Sequence, residues 1–414
     1  MLFPLTEGQC HEPVAIPCQV DRRRAGRPPT TRQWETFILS ILTRLELDPS
    51  ERSRAEAHYQ VMARHIAAKL GMADNDVHVV VQGSMRTQTT ISPRGNAKFD
   101  LDVVVKLTGS GFENIKAEAF FEEFGQALKG LPEAAGEPEA RRRCWRLQYP
   151  GEPFYFDVTP AIPGSQQITG TDLRVRDPET TWTPSNPEDF ADWFCTIAQL
   201  RFAFHQGAGW VFARDGRSQV DPLPNRAIGL DDVLRRTVQL IKLHRDNHYH
   251  LLPEERKAAM PISVILVTLA GHAYRDLHAA SPNAFSSPIE LALELVDQLP
   301  RYIQRGNGSY RVANPGLAYE NFADRWNPDG GVRAHEFAQW HTRLKDDLAL
   351  LFHEDYDSRS AQRIRSVFGQ AGVDAWRASQ PPSNDVLKGL RATVPMQLRE
   401  PGSPTPMGSR KTLA

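Results

Sequence analysis

Apolar positions in the first part of the chain recur with a helical period. From Arg32 to about Leu47 they are Trp34, Phe37, Ile38, Ile41 and Leu42, and from about Glu51 to Leu70 they are Tyr59, Met62, Ile66 and Leu70. This spacing predicts two helices, the second closed by Gly71. The pattern then changes. Val77 to Val81 and Phe99 to Leu107 are β-branched and apolar runs that predict strands. Glu113 to Lys129 reads as a helix ended by Gly130 and Pro132. Cys144 to Tyr149 and Phe154 to Val158 form a hairpin across Pro150-Gly151-Glu152. From about Pro187 the signal is helical again: Glu188 to Leu200, Leu230 to Arg245, Pro261 to Tyr274, Pro288 to Gln304 and Val332 to Leu351. Residues 1 to 30 hold five prolines and the run Arg22-Arg23-Arg24, and residues 379 to 414 are rich in Pro, Ser, Gly and Arg. The first segment reads as an irregular, loosely docked tail, and the last carries too few large apolar residues to stay ordered alone. The expected organisation is a flexible segment over 1–30, a catalytic core over 31–186, a helical lobe over 187–378 and a flexible tail over 379–414.

Composition narrows the class. The 414 residues are 40% hydrophobic and 24% charged, which suits a globular chain with a sizeable core. Lys and Arg number 49 against 50 for Asp and Glu, a formal net charge of −1. That balance excludes an acidic disordered chain and gives no strong nucleic-acid signal. The four cysteines, Cys10, Cys18, Cys144 and Cys195, form no CxxC pair, so reduced thiols are expected rather than a disulfide framework or a zinc site. The N-terminus lacks a basic region followed by an apolar run, and the longest apolar stretch, Ile262 to Ala270, is about half a membrane span. A soluble, cytoplasmic protein with no membrane partner is expected.

The chemistry concentrates on acidic residues in strands. Along Phe99-Asp-Leu-Asp-Val, Asp100 and Asp102 point to one face while Leu101 and Val103 point to the other. Two neighbouring acids at a buried face need a positive partner, and oxygen-only ligands favour Mg2+ or Mn2+ over zinc. In Phe154-Tyr-Phe-Asp-Val, Asp157 lies opposite Phe154, Phe156 and Val158. Three carboxylates from neighbouring strands can hold two metal ions for in-line phosphoryl transfer, and Asp157 on the hydroxyl side could help remove its proton. Gly83-Ser84 follows a strand. Gly83 permits close backbone approach, and Ser84 offers a hydroxyl and an amide to phosphate.

The combination of Gly83-Ser84, the run Thr87 to Thr90, Asp100-Leu-Asp102 and Asp157 resembles the polymerase-β-type nucleotidyltransferases. With Trp182-Thr-Pro-Ser-Asn-Pro187, Gln239-Leu-Ile-Lys-Leu-His-Arg-Asp246, Pro261-Ile-Ser263 and Glu320-Asn-Phe-Ala-Asp-Arg-Trp326, it more narrowly resembles the bacterial cGAS/DncV-like nucleotidyltransferases (CD-NTases) of CBASS anti-phage systems. The resemblance spans about residues 30 to 345. It implies an α+β fold: a two-lobed polymerase-β-like nucleotidyltransferase core, a mixed sheet with helices, plus an α-helical C-terminal lobe and an active site in the cleft between them. It also implies two bound nucleoside triphosphates, attack of a 3′- or 2′-hydroxyl on an α-phosphate, release of pyrophosphate, and closure of a cyclic di- or trinucleotide that acts as a second messenger for an effector. By that resemblance Asp100, Asp102 and Asp157 are the catalytic metal ligands, with two Mg2+ (or Mn2+) ions. Gln82, Gly83, Ser84, Ser185, Asn186, Lys242 and Ser263 bind nucleotide.

The helical segments fit this scheme on their own terms. Arg235, Gln239, Lys242 and Asp246 share one polar face, either solvated or, at Lys242, aimed at triphosphate. Pro261 at the first helical position and Ser263 in the first turn suit a phosphate-facing helix start or a simple cap. Trp182 could stack on a base, and Asn186 either reads a base edge or caps the helix after it. Glu320 to Trp326 reads as interlobe packing. Arg141-Arg-Arg-Cys-Trp-Arg146 reads as a strand edge guarded by charge, and His244, His248 and His250 as solvated histidines at a helix end. A linear oligonucleotide synthase, or transfer to an RNA or small-molecule acceptor, uses the same metal site and is the alternative. The tail, ending in Ala414, is a candidate for conjugation by ubiquitin-transfer-like partner enzymes.

Overall fold

The computed structural model describes residues 28–92, 98–108, 110–112, 114–164, 171–204, 229, 232–353 and 360–379. Of the two terminal segments expected to be flexible, residues 1–27 and 380–414, with Cys10, Cys18 and the proposed conjugation tail, lie outside those residues, while residues 28–30 and 379 belong to helices. Helix α1 (Pro28–Arg44) precedes α2 (Pro49–Leu70). Asp48 opens α2 through a capping box: its carboxylate accepts from the Glu51 amide at 2.8 Å, and Glu51 accepts from the Asp48 amide at 2.8 Å. Gly71 closes the helix in the left-handed region at φ 65°.

A seven-stranded sheet follows, built from β1 (Val77–Val81), the single-turn helix α3 (Gly83–Thr87), β2 (Phe99–Leu107), helix α4 (Ala117–Leu128), β3 (Ala135–Ala140), β4 (Trp145–Gln148), β5 (Phe154–Pro163), β6 (Leu173–Asp177) and β7 (Thr181–Ser185). The order β1-β2-β5-β4-β3 is extended by β6 on β5 and β7 on β6. β2 and β5 run parallel, and the other pairs are antiparallel. The helical part comprises α5 (Pro187–Ile197), α6 (Val233–His250), α7 (Glu254–Ala258), α8 (Ser263–Ala280), α9 (Pro288–Gln298), α10 (Val332–His353) and α11 (Ser360–Ser379). No described helix is long and apolar enough to cross a membrane.

Strand alternation decides what each face of the sheet does. Leu101, Val103 and Val105 of β2 and Phe154, Phe156 and Val158 of β5 pack with Tyr59, Met62 and Ile66 of α2 and Phe120, Phe121 and Phe124 of α4. The acids between them face the other way. A second apolar cluster joins α5, α6, α8, α9, α10 and α11. It also takes Trp34, Phe37, Ile38, Ile41 and Leu42 of α1. The sequence reading placed α1 with the catalytic core over 31–186. Its apolar stripe packs instead into the helical part, where α11 covers it.

Other departures have local causes. The helix expected from Glu113 begins at Ala117, after Lys116 in extended backbone, and the helix expected from Pro261 begins at Ser263 with Ile262 as its N-cap. Pro261 is therefore outside the helix rather than at its first position. Helix α11 follows a helical apolar pattern (Ile364, Val367, Phe368, Val373), but Gly369 at φ 71° breaks it into two, so the sequence punctuates where the chain kinks. His244 is not solvated. It is buried, its Nε2 lies 3.1 Å from Asp347, and its Nδ1 accepts from Trp340 Nε1 at 3.1 Å.

Gly125 in α4 faces the indole of Trp145, which stacks on Phe121 at 4.8 Å and donates to the Phe121 carbonyl at 3.1 Å. A Cβ there would run into the ring. Gly→Ala inside a helix ordinarily stabilises by about 1 kcal/mol. Gly125→Ala should instead destabilise by about 1–3 kcal/mol through overpacking. Thermal unfolding checks the sign, and a raised Tm would mean that α4 stands off the sheet.

Candidate active site

Parallel pairing of β2 and β5 sets Asp102 directly beside Asp157, with Asp100 beside Tyr155. Carboxylate oxygens of Asp100, Asp102 and Asp157 all lie within 4.8 Å of one another. Three anions so close repel, and the water that would screen them is cut away most at buried Asp157, less at half-buried Asp102 and least at Asp100. Asp100 is pushed up to about 6, by burial first and then by Asp157. Burial, then Asp100 and Asp157, raises Asp102 well above the ordinary carboxylate range. A donor set of three clustered carboxylates fits hard divalent cations such as Mg2+ or Mn2+. Gly83 adds a second sign of fit. Its φ is +63°, and a Cβ there would stand 2.5 Å from Asp102 Oδ2, so only glycine lets the chain pass this close to the carboxylate.

A cavity of about 280 Å3 opens over Asp100 and Asp102. Its sheet side is lined by Gly83, Ser84, Asp100 and Asp102, and its helical side by Lys242, Arg245, Asp246 and Ser263. Phe190, Val264 and Val267 add an apolar wall. The site residues expected at Gly83, Ser84, Asp100, Asp102, Lys242 and Ser263 therefore meet in one cleft between sheet and helices. Asp157 does not line the cavity, but its carboxylate lies within 4.8 Å of those of Asp100 and Asp102.

The remaining expectations fare differently. Asn186 is buried as the N-cap of α5, where its Oδ1 accepts from the Asp189 amide at 3.0 Å. Its Nδ2 donates to Asp172 and Asp189, each at 2.9 Å. Of the two readings left open for Asn186, the fold realises the cap, which contributes about 1 kcal/mol. Neither Asn186 nor Ser185 lines the cavity. Trp182 packs on Phe120 at 5.5 Å, away from it. Gln82 precedes α3, and its amide donates to the Asp102 carbonyl at 3.1 Å, continuing the β1–β2 ladder. Its side chain is not part of the cavity lining. Glu320 accepts from the Asn186 amide at 3.2 Å and Trp326 is buried, both in packing roles.

The polar face of α6 grips the Thr-rich loop. Arg235 Nε donates to the Thr87 carbonyl at 2.8 Å, Lys242 Nζ to Thr89 at 2.8 Å, and Gln239 Nε2 to Thr90 at 3.1 Å. All three side chains are buried, so this face is not solvated. Burial, then the charge of Arg245, lowers Lys242 to about 8. Arg245 Nη1 donates to Ser263 Oγ at 3.0 Å and to the Pro261 carbonyl at 3.1 Å, which fixes the serine at the cavity wall.

Arg146 is the largest departure from expectation. Arg142 and Arg143 do bind Asp177 at the sheet margin, as a guarded edge would. Arg146, opposite Asp157 across the β4–β5 ladder, instead turns to the acids. Its Nε donates to Asp157 Oδ1 at 2.8 Å and its Nη2 to Oδ2 at 2.7 Å, and the guanidinium lies 4.0 Å over the Tyr155 ring. The alternation of Trp145-Arg146-Leu147 carried this signal, since Arg146 is opposite in face to the two apolar residues.

Comparison with known proteins follows this geometry. Residues 77–160, which hold all three acids, match the family described as "Cyclic GMP-AMP synthase DncV-like, nucleotidyltransferase domain". A c-di-GMP synthase of Roseivirga ehrenbergii is 26% identical over 311 residues, covering 71% of this chain and 73% of that protein. The fold is similar to that of the Bradyrhizobium diazoefficiens CD-NTase CdnG in complex with GTP (TM-score 0.61, 23% identity, 83% of this chain and 97% of that one). It is also similar to Vibrio cholerae DncV cyclic AMP-GMP synthase with a linear intermediate (TM-score 0.55, 14% identity, 82% and 98%).

Gly83→Ala tests the close approach. The added methyl should displace the Asp102 carboxylate and lower nucleotide turnover about 100-fold, while Tm falls by only a few degrees. Unchanged turnover would mean that the Gly83–Asp102 packing does not set the geometry of the site.

Proposed function

We propose that this chain, which belongs to the cGAS/DncV-like nucleotidyltransferases of the polymerase-β superfamily, joins nucleoside triphosphates into a cyclic dinucleotide and releases pyrophosphate. The observation that carries this reading is a cluster of three carboxylates, two of which, Asp100 and Asp102, line a cavity whose opposite wall presents Lys242 and Ser263. Acids on one side and an ammonium on the other suit a triphosphate held with its α-phosphate over the carboxylates. The names of the relatives, a c-di-GMP synthase and a cyclic AMP-GMP synthase, support the cyclic product, and CdnG holds GTP.

In this scheme Lys242 and Ser263 bind the outer phosphates, with Arg245 keeping the serine in place. Ser84, whose Oγ accepts from Thr90 Oγ1 at 3.2 Å, offers its own hydroxyl and amide to the phosphate on the sheet side. Asp157 stands on the hydroxyl side and receives its proton. Two Mg2+ (or Mn2+) ions held by Asp100, Asp102 and Asp157 would supply the charge that activates the hydroxyl and steadies the leaving pyrophosphate. The product then serves, in the cytoplasm, as a CBASS second messenger that switches on an antiviral effector, with conjugation through the C-terminal tail as a point of regulation.

Purified protein incubated with labelled NTPs, singly and mixed, with Mg2+ or Mn2+, should yield a phosphatase-resistant product whose mass gives bases and ring size. An Asp100→Ala/Asp102→Ala variant should yield none. Phosphatase-sensitive linear products would overturn ring closure, and a fully active variant would overturn the site.

Lys242 gives a pH test of the triphosphate wall. With its value lowered to about 8, the side chain is charged below that pH and neutral above it. Affinity for a non-hydrolysable NTP should therefore fall about tenfold between pH 7 and 9. Lys242→Met should bind weakly with a flat profile. A flat wild-type profile would remove Lys242 from the triphosphate site.

A further inference from the structure

The Arg146–Asp157 pair engages both oxygens of a carboxylate that, on the reading above, is a metal ligand. A divalent cation that takes Asp157 approaches a fixed positive charge whose nitrogens already sit 2.7–2.8 Å from the donor atoms. Like charges at such range repel strongly in a partly desolvated site. Asp100 and Asp102 have no comparable guanidinium partner among the described residues. Arg146 also reaches solvent. Its side chain keeps 22% of its surface exposed, and its guanidinium stacks 4.0 Å over the Tyr155 ring, so on leaving Asp157 it need not become a buried, unpaired charge.

We propose that Arg146 is a displaceable counter-ion of the metal site: it neutralises Asp157 in the nucleotide-free protein, keeps divalent-cation binding weak there, and yields when a triphosphate arrives. The triphosphate brings the negative charge that favours both the incoming cation and the displaced guanidinium. Metal and nucleotide therefore bind with positive linkage, and Arg146 is the element whose two positions they bias. The idea rests on the metal-site reading above. In that reading Arg146 is a positioning residue, not a group that takes part in bond making.

The test is Mn2+ binding to the full chain, followed by electron paramagnetic resonance without and with a non-hydrolysable NTP. Without nucleotide, Arg146→Met should bind Mn2+ about tenfold more tightly than wild type, because the competing charge is gone. Adding nucleotide should tighten Mn2+ binding in wild type far more than in Arg146→Met. Arg146→Lys, which keeps a charge but cannot engage both oxygens at once, should fall between them. Equal or weaker Mn2+ binding by Arg146→Met, with wild-type binding still abolished by Asp100→Ala, would overturn the counter-ion role while leaving the metal site standing. If wild type binds no Mn2+ that Asp100→Ala removes, the metal reading itself fails. Should Arg146→Met not fold, as judged by circular dichroism, the comparison of Arg146→Lys with wild type decides, and equal affinities overturn the proposal.

Discussion

Repulsion among Asp100, Asp102 and Asp157 is the constraint around which the molecule is organised. Parallel pairing of two strands puts Asp102 and Asp157 at one level, and no strand can relax the contact without losing its register. Everything near the acids answers that charge. Arg146 comes from the neighbouring strand, Lys242 from the helical part, and Gly83 draws in the backbone where a larger residue would collide with Asp102. The opposite face of the same strands is wholly apolar, with Leu101, Val103, Phe154 and Phe156 against α2 and α4. The core therefore anchors the strands that hold the acids in an unfavourable arrangement, which is how a fold stores the cost of a functional site.

The second constraint lies between the two halves. Three buried side chains one helical turn apart on α6 cap carbonyls of the Thr-rich loop that follows Gly83-Ser84. Arg235 is itself held by Asp232, and Gln239 also donates to Glu46 at 2.9 Å, between α1 and α2. Loop carbonyls that would otherwise be unpaired are satisfied by the helical part, and buried donors on α6 are satisfied by the loop. Neither surface is complete without the other. The wall that carries Lys242 and the loop that carries Ser84 are thus set at a fixed spacing across the cavity.

Much of this was legible in the sequence, and the reasons differ by residue. Strands over Val77–Val81 and Phe99–Leu107, the hairpin at Gly151 and the alternation that puts Asp100, Asp102 and Asp157 off the apolar face are local facts, decided by side-chain period. The meeting of the acids needed one non-local fact, the β2–β5 pairing, which the shared apolar and acidic pattern of the two segments anticipates. What sequence could not decide was which of two satisfied states a polar residue would take. Asn186 suits a base edge or a helix cap, and the cap won because Asp189 lies three residues on in a first turn opened by Pro187. Arg146 lies in a run of arginines that reads as an edge. Only the ladder with Asp157 separates it from Arg142 and Arg143, which serve Asp177. Helix α1 was assigned by its neighbours in sequence, whereas its apolar stripe answers to α11, more than 300 residues away.

The distribution of positive charge around the acids is asymmetric, and the asymmetry has a consequence for catalysis. Asp157 is paired from within the sheet by Arg146, which sits between the apolar core residues Trp145 and Leu147 on β4. Asp102 draws its compensation first from Lys242 across the cavity and then from Arg146, whereas Asp100 draws on Arg146 and the Tyr155 hydroxyl before Lys242. Asp157 thus has a cation bonded directly to it, while Asp100 and Asp102 have no such direct cationic partner among the described residues and are raised by burial and by their acidic neighbours. The carboxylates with raised values, Asp100 and Asp102, give up protons more readily when a divalent charge arrives. Positions that look equivalent in an Asp-x-Asp and a later Asp are therefore separated by whether a cation is bonded directly to the carboxylate.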